Sequence, residues 1–392
     1  MKKVLKSVFL TISLLLFAFV MFLRVNSADE VLGPVTVVPE APQELTPESV
    51  PTPTPTPEPE YFTISITGDC TLNSSPNFVN SQVGYAKTMN GDYSYPFKNT
   101  VDYFRDDEYT LSNLECNFSD NRNLSSIEWF SFRAPTEWAN ILIEGGVDFV
   151  TTANNHMMDF GQKGADDTYA ALESYGIPYG KEGQGQVVTT PGGIKLGIYC
   201  DYNKLRPDKN KCTAEIKKLR EQGAEFIICA FHWGKELTYN PEEYQVELAH
   251  ACIDAGADVI YGSHTHCLQP IEEYNGGLIL YSMGNWSFGG STAPSDPDTA
   301  IVQLKLRRDY DGTTVLESYD IIPCCCSSDI EGAEKHWQAK QKGLNPTSYY
   351  NDYCPTPYPE DSEGYHRALA KIKGEYEGPD GKLNYQSIIY GQ

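Results

Sequence analysis

Six times along this chain a short β-like run stops at a cluster of Asp, Asn, Glu or His, and this repetition limits the fold more than any other feature. Gly68-Asp69 follows the alternating run 62–67, and Asn113-Leu114-Glu115 follows 109–112. Ala153-Asn154-Asn155-His156 follows 147–150, and His232-Trp233-Gly234-Lys235-Glu236 follows 226–230. Ser263-His264-Thr265-His266 follows 257–261, and Ser282-Met283-Gly284-Asn285 follows 278–281. A further β-like run covers 194–199. Helical patterns at 135–144, 165–175, 213–222 and 242–255 lie between several of these runs, the first with Pro135 in its opening turn. Such alternation predicts an α/β domain. Ligands of open α/β sheets bind beyond the carboxyl ends of the strands, so strands sharing a sheet would bring the six clusters to one edge.

The chain has 392 residues and a formal net charge of -23. That balance excludes nucleic acid as a partner, because phosphate binding needs clustered Lys and Arg. A polyanion would have to be held at a local cationic site, such as a bound metal. Met1-Lys2-Lys3 and Lys6, an apolar run over 8–23 and Arg24 read as a secretory signal or an uncleaved membrane anchor, within 1–30. The expected location is therefore extracytoplasmic, held to the cell membrane by this segment or secreted. Residues 31–60 form a Pro/Thr/Glu-rich spacer that cannot build a core. The main domain is expected over 61–323, closing on a hairpin of 300–306 and 314–322 around Asp311-Gly312. A Cys- and Tyr-containing extension, 324–392, follows, with a short helical pattern near 366–372.

Of the eleven cysteines, Cys200, Cys229 and Cys252 sit in apolar patterns and read as core residues. Cys324-Cys325-Cys326 leaves two readings open, metal binding or pairing with Cys354. Among the seven histidines, His250 falls within an amphipathic helical pattern and reads as structural. His336 and His366 lie in the polar tail and read as solvated.

The chemistry concentrates in the clusters. Two histidines two residues apart at the end of a buried strand can aim both imidazoles at one point, and neutral imidazole is the commonest protein ligand for a transition metal. Asp69, Glu115, Asn155, His232, His264 and His266 together suit one or two divalent ions, Mn²⁺, Fe²⁺ or Zn²⁺. One carboxylate can bridge two ions, and ions about 3.5–4 Å apart clamp both oxygens of an in-line displacement. Asn113, Asn154, Glu236 and Asn285 are candidates to support the ligands or touch a substrate.

In these residues, with Asp159, Gly161 and Tyr281 added, the chain resembles the CapA (poly-γ-glutamate capsule biosynthesis) family, a branch of the calcineurin-like metallophosphatases. The resemblance spans roughly 62–288. It implies a four-layer αββα sandwich with a metal site at its rim. It further implies that Asp69 and His266 bind one metal, that Asn155, His232 and His264 bind the second, and that Glu115 bridges them. His156 would bind no metal; it would protonate the leaving oxygen or stabilise phosphoryl charge, with Asp159 orienting it. The implied role is a metal-dependent phosphoesterase-type hydrolase in capsular, poly-γ-glutamate or other envelope-polymer metabolism, with an anionic polymer and a polymer synthase complex as partners. The alternative is a non-catalytic accessory subunit for making or exporting such a polymer. One departure stands out: Asp69-Cys70-Thr71 lacks the histidine of the usual Asp-x-His, and the bridging residue is Glu, not Asp. The first metal would then need Cys70 or water as a ligand, or one ion alone would bind.

Overall fold

Strict alternation along the strands decides the layering. In the segment Phe226–His232, Ile228 and Ala230 enter one apolar core while Ile227, Cys229 and Phe231 enter another. A strand buried on both faces needs a layer on each side, because successive side chains point in opposite directions. The computed structural model describes residues 58–202 and 207–378. The expected N-terminal signal or anchor (1–30) and nearly all of the Pro-rich spacer lie outside these described residues.

In chain order the strands are β1 (Glu60–Thr71), β2 (Tyr109–Leu114), β3 (Asn117–Phe118), β4 (Arg133–Ala134), β5 (Phe149–Thr151), β6 (Tyr179–Gly180), β7 (Gln184–Thr189), β8 (Lys195–Asp201), β9 (Phe226–His232), β10 (Val259–Ser263), β11 (Ile271–Tyr274), β12 (Gly277–Leu280), β13 (Asn285–Phe288), β14 (Asp298–Arg308), β15 (Thr314–Cys325) and β16 (Thr356–Pro357). One sheet runs β16-β15-β14-β1-β2-β5-β6, with β13 added beside β1. A second runs β11-β12-β10-β9-β8-β7. Strands β1, β2 and β5 are mutually parallel, as are β8, β9, β10 and β12.

Three cores fill the spaces. Ile64, Ile66 and Leu111 of the first sheet meet Ile198, Ile228 and Val259 of the second in a shared core. The far face of the first sheet, through Leu114, Val150 and Ile301, packs on Tyr85, Phe97, Phe104, Ile141 and Leu172 of short helices and the helix Gly161–Ser174. The far face of the second sheet, through Ile227, Ile260 and Ile279, packs on the helices Lys209–Glu221 and Glu243–Asp254. Each of these aliphatic side chains contributes about 2 kcal/mol by leaving water. The order is helices, sheet, sheet, helices, a mixed α/β arrangement of four layers.

Helix ends follow local chemistry. Asp208 accepts from the Asn210 and Lys211 amides to start one helix, and Glu242 with Gln245 forms a reciprocal cap at the next. The helical pattern at 135–144 opens as a 3₁₀ turn, Thr136–Ala139, before the helix Asn140–Glu144.

The chain after the hairpin is built into the sandwich. The boundary expected at 323 falls inside β15, whose Cys324 and Cys325 pair with β16. Ala333 and Tyr350, with Ala368 and Ile372 of the helix Glu363–Ile372, enter the inter-sheet core. His336, expected in solvent, is buried, because its helix Ile330–Gln341 lies on this core through Ile330 and Ala333. His366 is exposed, as expected. All eleven cysteines are free and buried. Cys324 faces the helix-side core and Cys325 the inter-sheet core, so alternation along β15 separates thiols that sequence alone had grouped. Among the described residues no helix is long and apolar enough to cross a membrane.

Candidate metal centre

The parallel strands of both sheets end at one rim, and the clusters meet there. Asp69 lies near the end of β1, and Asn113 pairs with it in register across β2. Glu115 and Asn154 follow the ends of β2 and β5; His232 ends β9, and His264 follows β10. Two close approaches permit this. A Cβ at Gly68 would stand 2.1 Å from the Gly284 carbonyl oxygen, and one at Gly262 would stand 2.0 Å from that of Tyr281. Only glycine lets the backbones come so near. Past Ser263 the chain turns with His264 at φ 93° and His266 at φ 57°, a left-handed stretch that keeps both rings at the rim.

Two ligand sets share one carboxylate. Ligand atoms of Glu115, His232 and His264 lie within 4.8 Å of one another, and so do those of Asp69, Glu115 and His266. Among the described residues these are the two groups of three or more His, Cys, Asp or Glu so arranged. Asn155 joins the first set, its Oδ1 2.7 Å from His232 Nε2. Six side chains from positions 69 to 266 therefore gather in one place.

The supporting bonds fix each ligand. Asn113 donates to Asp69 Oδ1 at 2.8 Å, and the His264 amide donates to Asp69 Oδ2 at 3.1 Å. Asn154 donates to Asn113 Oδ1 at 3.0 Å and to the Leu114 carbonyl at 2.8 Å. His232 Nδ1 lies 2.9 Å from Ser263 Oγ, leaving Nε2 toward Glu115 Oε1 at 3.3 Å. His266 Nδ1 lies 2.9 Å from Asn285 Oδ1. Asn285 can do this because β13 runs beside β1, with Asn285 opposite Asp69.

The electrostatics of the cage favour added positive charge. Burial, then the charge of Glu115, pushes Asp69 well above the usual carboxylate range. Burial acts the same way on Glu115, but His232, His266 and His156 outweigh it and hold Glu115 low. Burial, with His232 and His266 adding, drives His264 down to about 2, so its ring is neutral and its lone pair free. Burial also lowers His232. Glu115 Oε1 and His264 Nδ1 are buried with no hydrogen-bond partner. Orphaned acceptors on a carboxylate and a neutral imidazole fit a borderline divalent ion. Cys70 does not complete the set: it points into the helix-side core, and burial pushes its thiol up to about 12.

His156 is placed differently. Its Nδ1 lies 2.9 Å from Asp159 Oδ2, which also accepts from the Phe132 amide at 2.9 Å. Its Nε2 stands 4.0 Å from Glu115 Oε1. Burial pulls the His156 pKa down, but the Asp159 hydrogen bond and the charges of Glu115, Asp159 and Glu236 more than offset it. The ring therefore holds a proton more readily than an ordinary imidazole. It opens on a cleft of about 740 Å³ that also takes in Asn155, Asp159, Glu236, His266 and Asn285. Glu236 is an exposed wall residue, away from the ligand sets. Sequence reasoning missed Ser263, Thr71 (3.5 Å from Glu115 Oε2) and the aromatic wall of Trp129, Phe130, Phe132, Tyr202 and Phe288. The pair Trp129-Phe130 in a loop without core periodicity was the available signal for that wall. His250, by contrast, stacks on Tyr274 at 3.6 Å and bonds Glu272, a structural role as expected.

Fold and site together define an α/β protein whose strand ends gather a ligand set that suits a divalent cation. The family described as bacterial capsule synthesis protein PGA_cap matches residues 63–289, more than half of the chain, and the chain belongs to that family. It is 28% identical over 290 residues to the capsule biosynthesis protein CapA of Bacillus anthracis, covering 67% of each chain. It is 29% identical over 240 residues to the PGA biosynthesis protein CapA of Bacillus subtilis (strain 168), covering 56% of this chain and 63% of that one. A probable polyglutamine synthesis accessory protein of Mycobacterium tuberculosis is 29% identical over 163 residues, 34% of this chain and 43% of the relative. Among solved structures, a 5'-nucleotidase from Candida albicans aligns over 76% of this chain and 56% of its own, with a TM-score of 0.39 and 11% identity.

Proposed function

We propose that this chain is an extracytoplasmic, membrane-tethered or secreted protein of capsular or other envelope-polymer metabolism that acts as a metal-dependent phosphoesterase-type hydrolase. The observation that carries this reading is Glu115: a fully buried carboxylate shared by two ligand sets, whose Oε1 faces His232 but lacks a hydrogen-bond partner. Asp69 and His266 would hold one divalent ion, and Asn155, His232 and His264 the other. When bound, such ions supply Lewis acidity at a phosphoryl oxygen. The chain's own residues do the rest. His156 carries a proton at Nε2 on the cleft side while Asp159 fixes Nδ1, the arrangement of a general acid for a leaving oxygen. Asn113, Asn154 and Ser263 hold the ligands in place, and aromatic side chains line one side of the cleft.

A second reading has its own support. A relative is named as an accessory protein, and Cys70-Thr71 stand where metallophosphatases continue Asp-x-His. On that reading the ions bind polymer carboxylates or brace the fold, and a synthase complex is the partner.

The test uses purified protein with Mn²⁺, an aryl phosphate and γ-linked glutamate oligomers as substrates. Turnover should vanish in His264→Ala together with Mn²⁺ binding, whereas His156→Ala should lose at least about 10²-fold in rate with Mn²⁺ retained. Loss of Mn²⁺ in His156→Ala would overturn its assigned role. Absence of turnover with any divalent metal, alongside retained oligomer binding, would favour the accessory role.

A further inference from the structure

A second cluster of ionisable groups, none of them a member of the two ligand sets, centres on a lysine. Lys371, on the helix Glu363–Ile372, has no solvent exposure. Its Nζ donates to both carboxylate oxygens of Asp296, at 2.8 and 2.7 Å, and to Asp298 Oδ2 at 2.6 Å. Both aspartates are buried. Three rings enclose the amine, with centroids 4.5 Å (Trp337), 5.0 Å (Tyr239) and 5.1 Å (Tyr376) from Nζ. Asp298 has a cation of its own: Arg367 bonds it through Nε at 2.8 Å and Nη2 at 2.7 Å, and the Tyr358 hydroxyl donates at 2.7 Å.

We propose that Lys371 and Asp296 condense to an intramolecular amide, a covalent tie between the C-terminal helix and the segment that enters β14. The groups needed are a buried amine against a carboxyl carbon, a second carboxylate on the same nitrogen, and an apolar surround. Holding the reactants in contact removes the entropic barrier of a bimolecular condensation. The surround also favours the product, since an ion pair buried among rings costs more than a neutral amide.

The step balances without oxidant or cofactor. A proton passes from the Lys371 ammonium to the Asp296 carboxylate, giving a neutral amine and a neutral acid. The nitrogen lone pair attacks Asp296 Cγ and the C–N bond forms. The surplus proton on nitrogen passes to Asp298 Oδ2 and on to the departing hydroxyl, the C–O bond breaks, and one water leaves. Asp298 returns to its carboxylate form against Arg367. Burial raises Asp296, which favours its acid form at the start. Against the opposing effect of burial, Lys371 and Arg367 hold Asp298 down to about 2 before the step, and Arg367 remains beside it as a counter-charge afterwards. Asp296 and Lys371 are 75 positions apart, and with every cysteine free this bond would be the fold's one covalent cross-tie among the described residues.

Mass spectrometry of the purified full chain, denatured and reduced, tests the proposal directly. The expected result is a mass short by one water and, after trypsin, a branched peptide joining the Asp296 and Lys371 segments. Lys371→Arg should restore both the full mass and the linear peptides. Recovery of the wild-type peptides in linear form would overturn the proposal. So would a water deficit that persists in Lys371→Arg.

Discussion

Gly262 shows how a single hydrogen atom can decide a site. Its α-carbon passes so close to the Tyr281 carbonyl that a methyl group would stand 2.0 Å from that oxygen and 2.7 Å from Trp233 Nε1. Neither neighbour can withdraw freely, since both are buried in the core between the second sheet and its helices. Gly262→Ala is therefore expected to cost about 1–3 kcal/mol in urea unfolding and to weaken Mn²⁺ binding, because β10 would move and carry Ser263 and His264 with it. An unchanged Mn²⁺ titration would show that the ligands tolerate the shift. At this scale much of the site was legible. Gly-Ser-His-Thr-His after an apolar run announces ligands, since few other uses exist for two imidazoles at a buried strand end. Asn285 was harder to place: Gly284-Asn285 looks like a turn, and only the parallel pairing of β13 with β1 sets it opposite Asp69. Ser263 and Thr71 were invisible, because a hydroxyl earns its role only from what stands across from it.

Among the elements, β2 has a half-buried carboxylate at its entrance as well as the buried Glu115 at its exit. Asp107 precedes this strand; it accepts from Thr110 Oγ1 at 2.7 Å through Oδ2 and leaves Oδ1 unpaired. Burial, with Asp148 adding, pushes its carboxyl up to about 7. The unfolded value is near 4, so the folded state binds the extra proton between the two. Its contribution to stability is thus intact below about pH 4 and is lost as pH rises to about 7. Asp107→Asn should raise the thermal midpoint at about pH 8, by a free energy on the order of 1 kcal/mol after solvent screening, and leave it unchanged at about pH 4. Equal shifts at both pH values would show that charge is not the cause. Strands with strong alternation, β1, β8, β9, β10 and β12, could be read from residue order. Strand β7 could not: Gln184–Thr189 is an edge strand, exposed to partly buried along its length, so no apolar period marks it. The helix Ile330–Gln341 likewise buries only Ala333, His336 and Trp337, too few to separate it from a polar tail.

For the whole molecule, the segment after the hairpin is the part that residue order most understates. Ala333, Tyr350, Tyr358, Ala368 and Ile372 are scattered among polar neighbours, yet all five lie in the inter-sheet core. Removing everything after Cys326 would strip these side chains away, at roughly 1.5–3 kcal/mol for each large one, and would expose the sheet they cover. The sum rivals the whole net stability of an ordinary domain, about 5–15 kcal/mol. Such a truncated chain should show no cooperative thermal transition; a sharp transition near that of the intact protein would show that the sandwich stands alone.

The way β1 changes company has a mechanical sequel. It lies against β14 up to Ile66 and, past a register break, against β13 from Asp69 onward, with β2 on its other flank from Ile64 to Cys70. Asp69 thus sits on a strand held on both flanks, while His264 and His266 sit on the turn between β10 and β11, closed by the bridge of Leu268 with Met283. A divalent ion held here would be gripped from two separately built parts, a strand interior and a turn, so a change in the geometry of either should alter which ions fit.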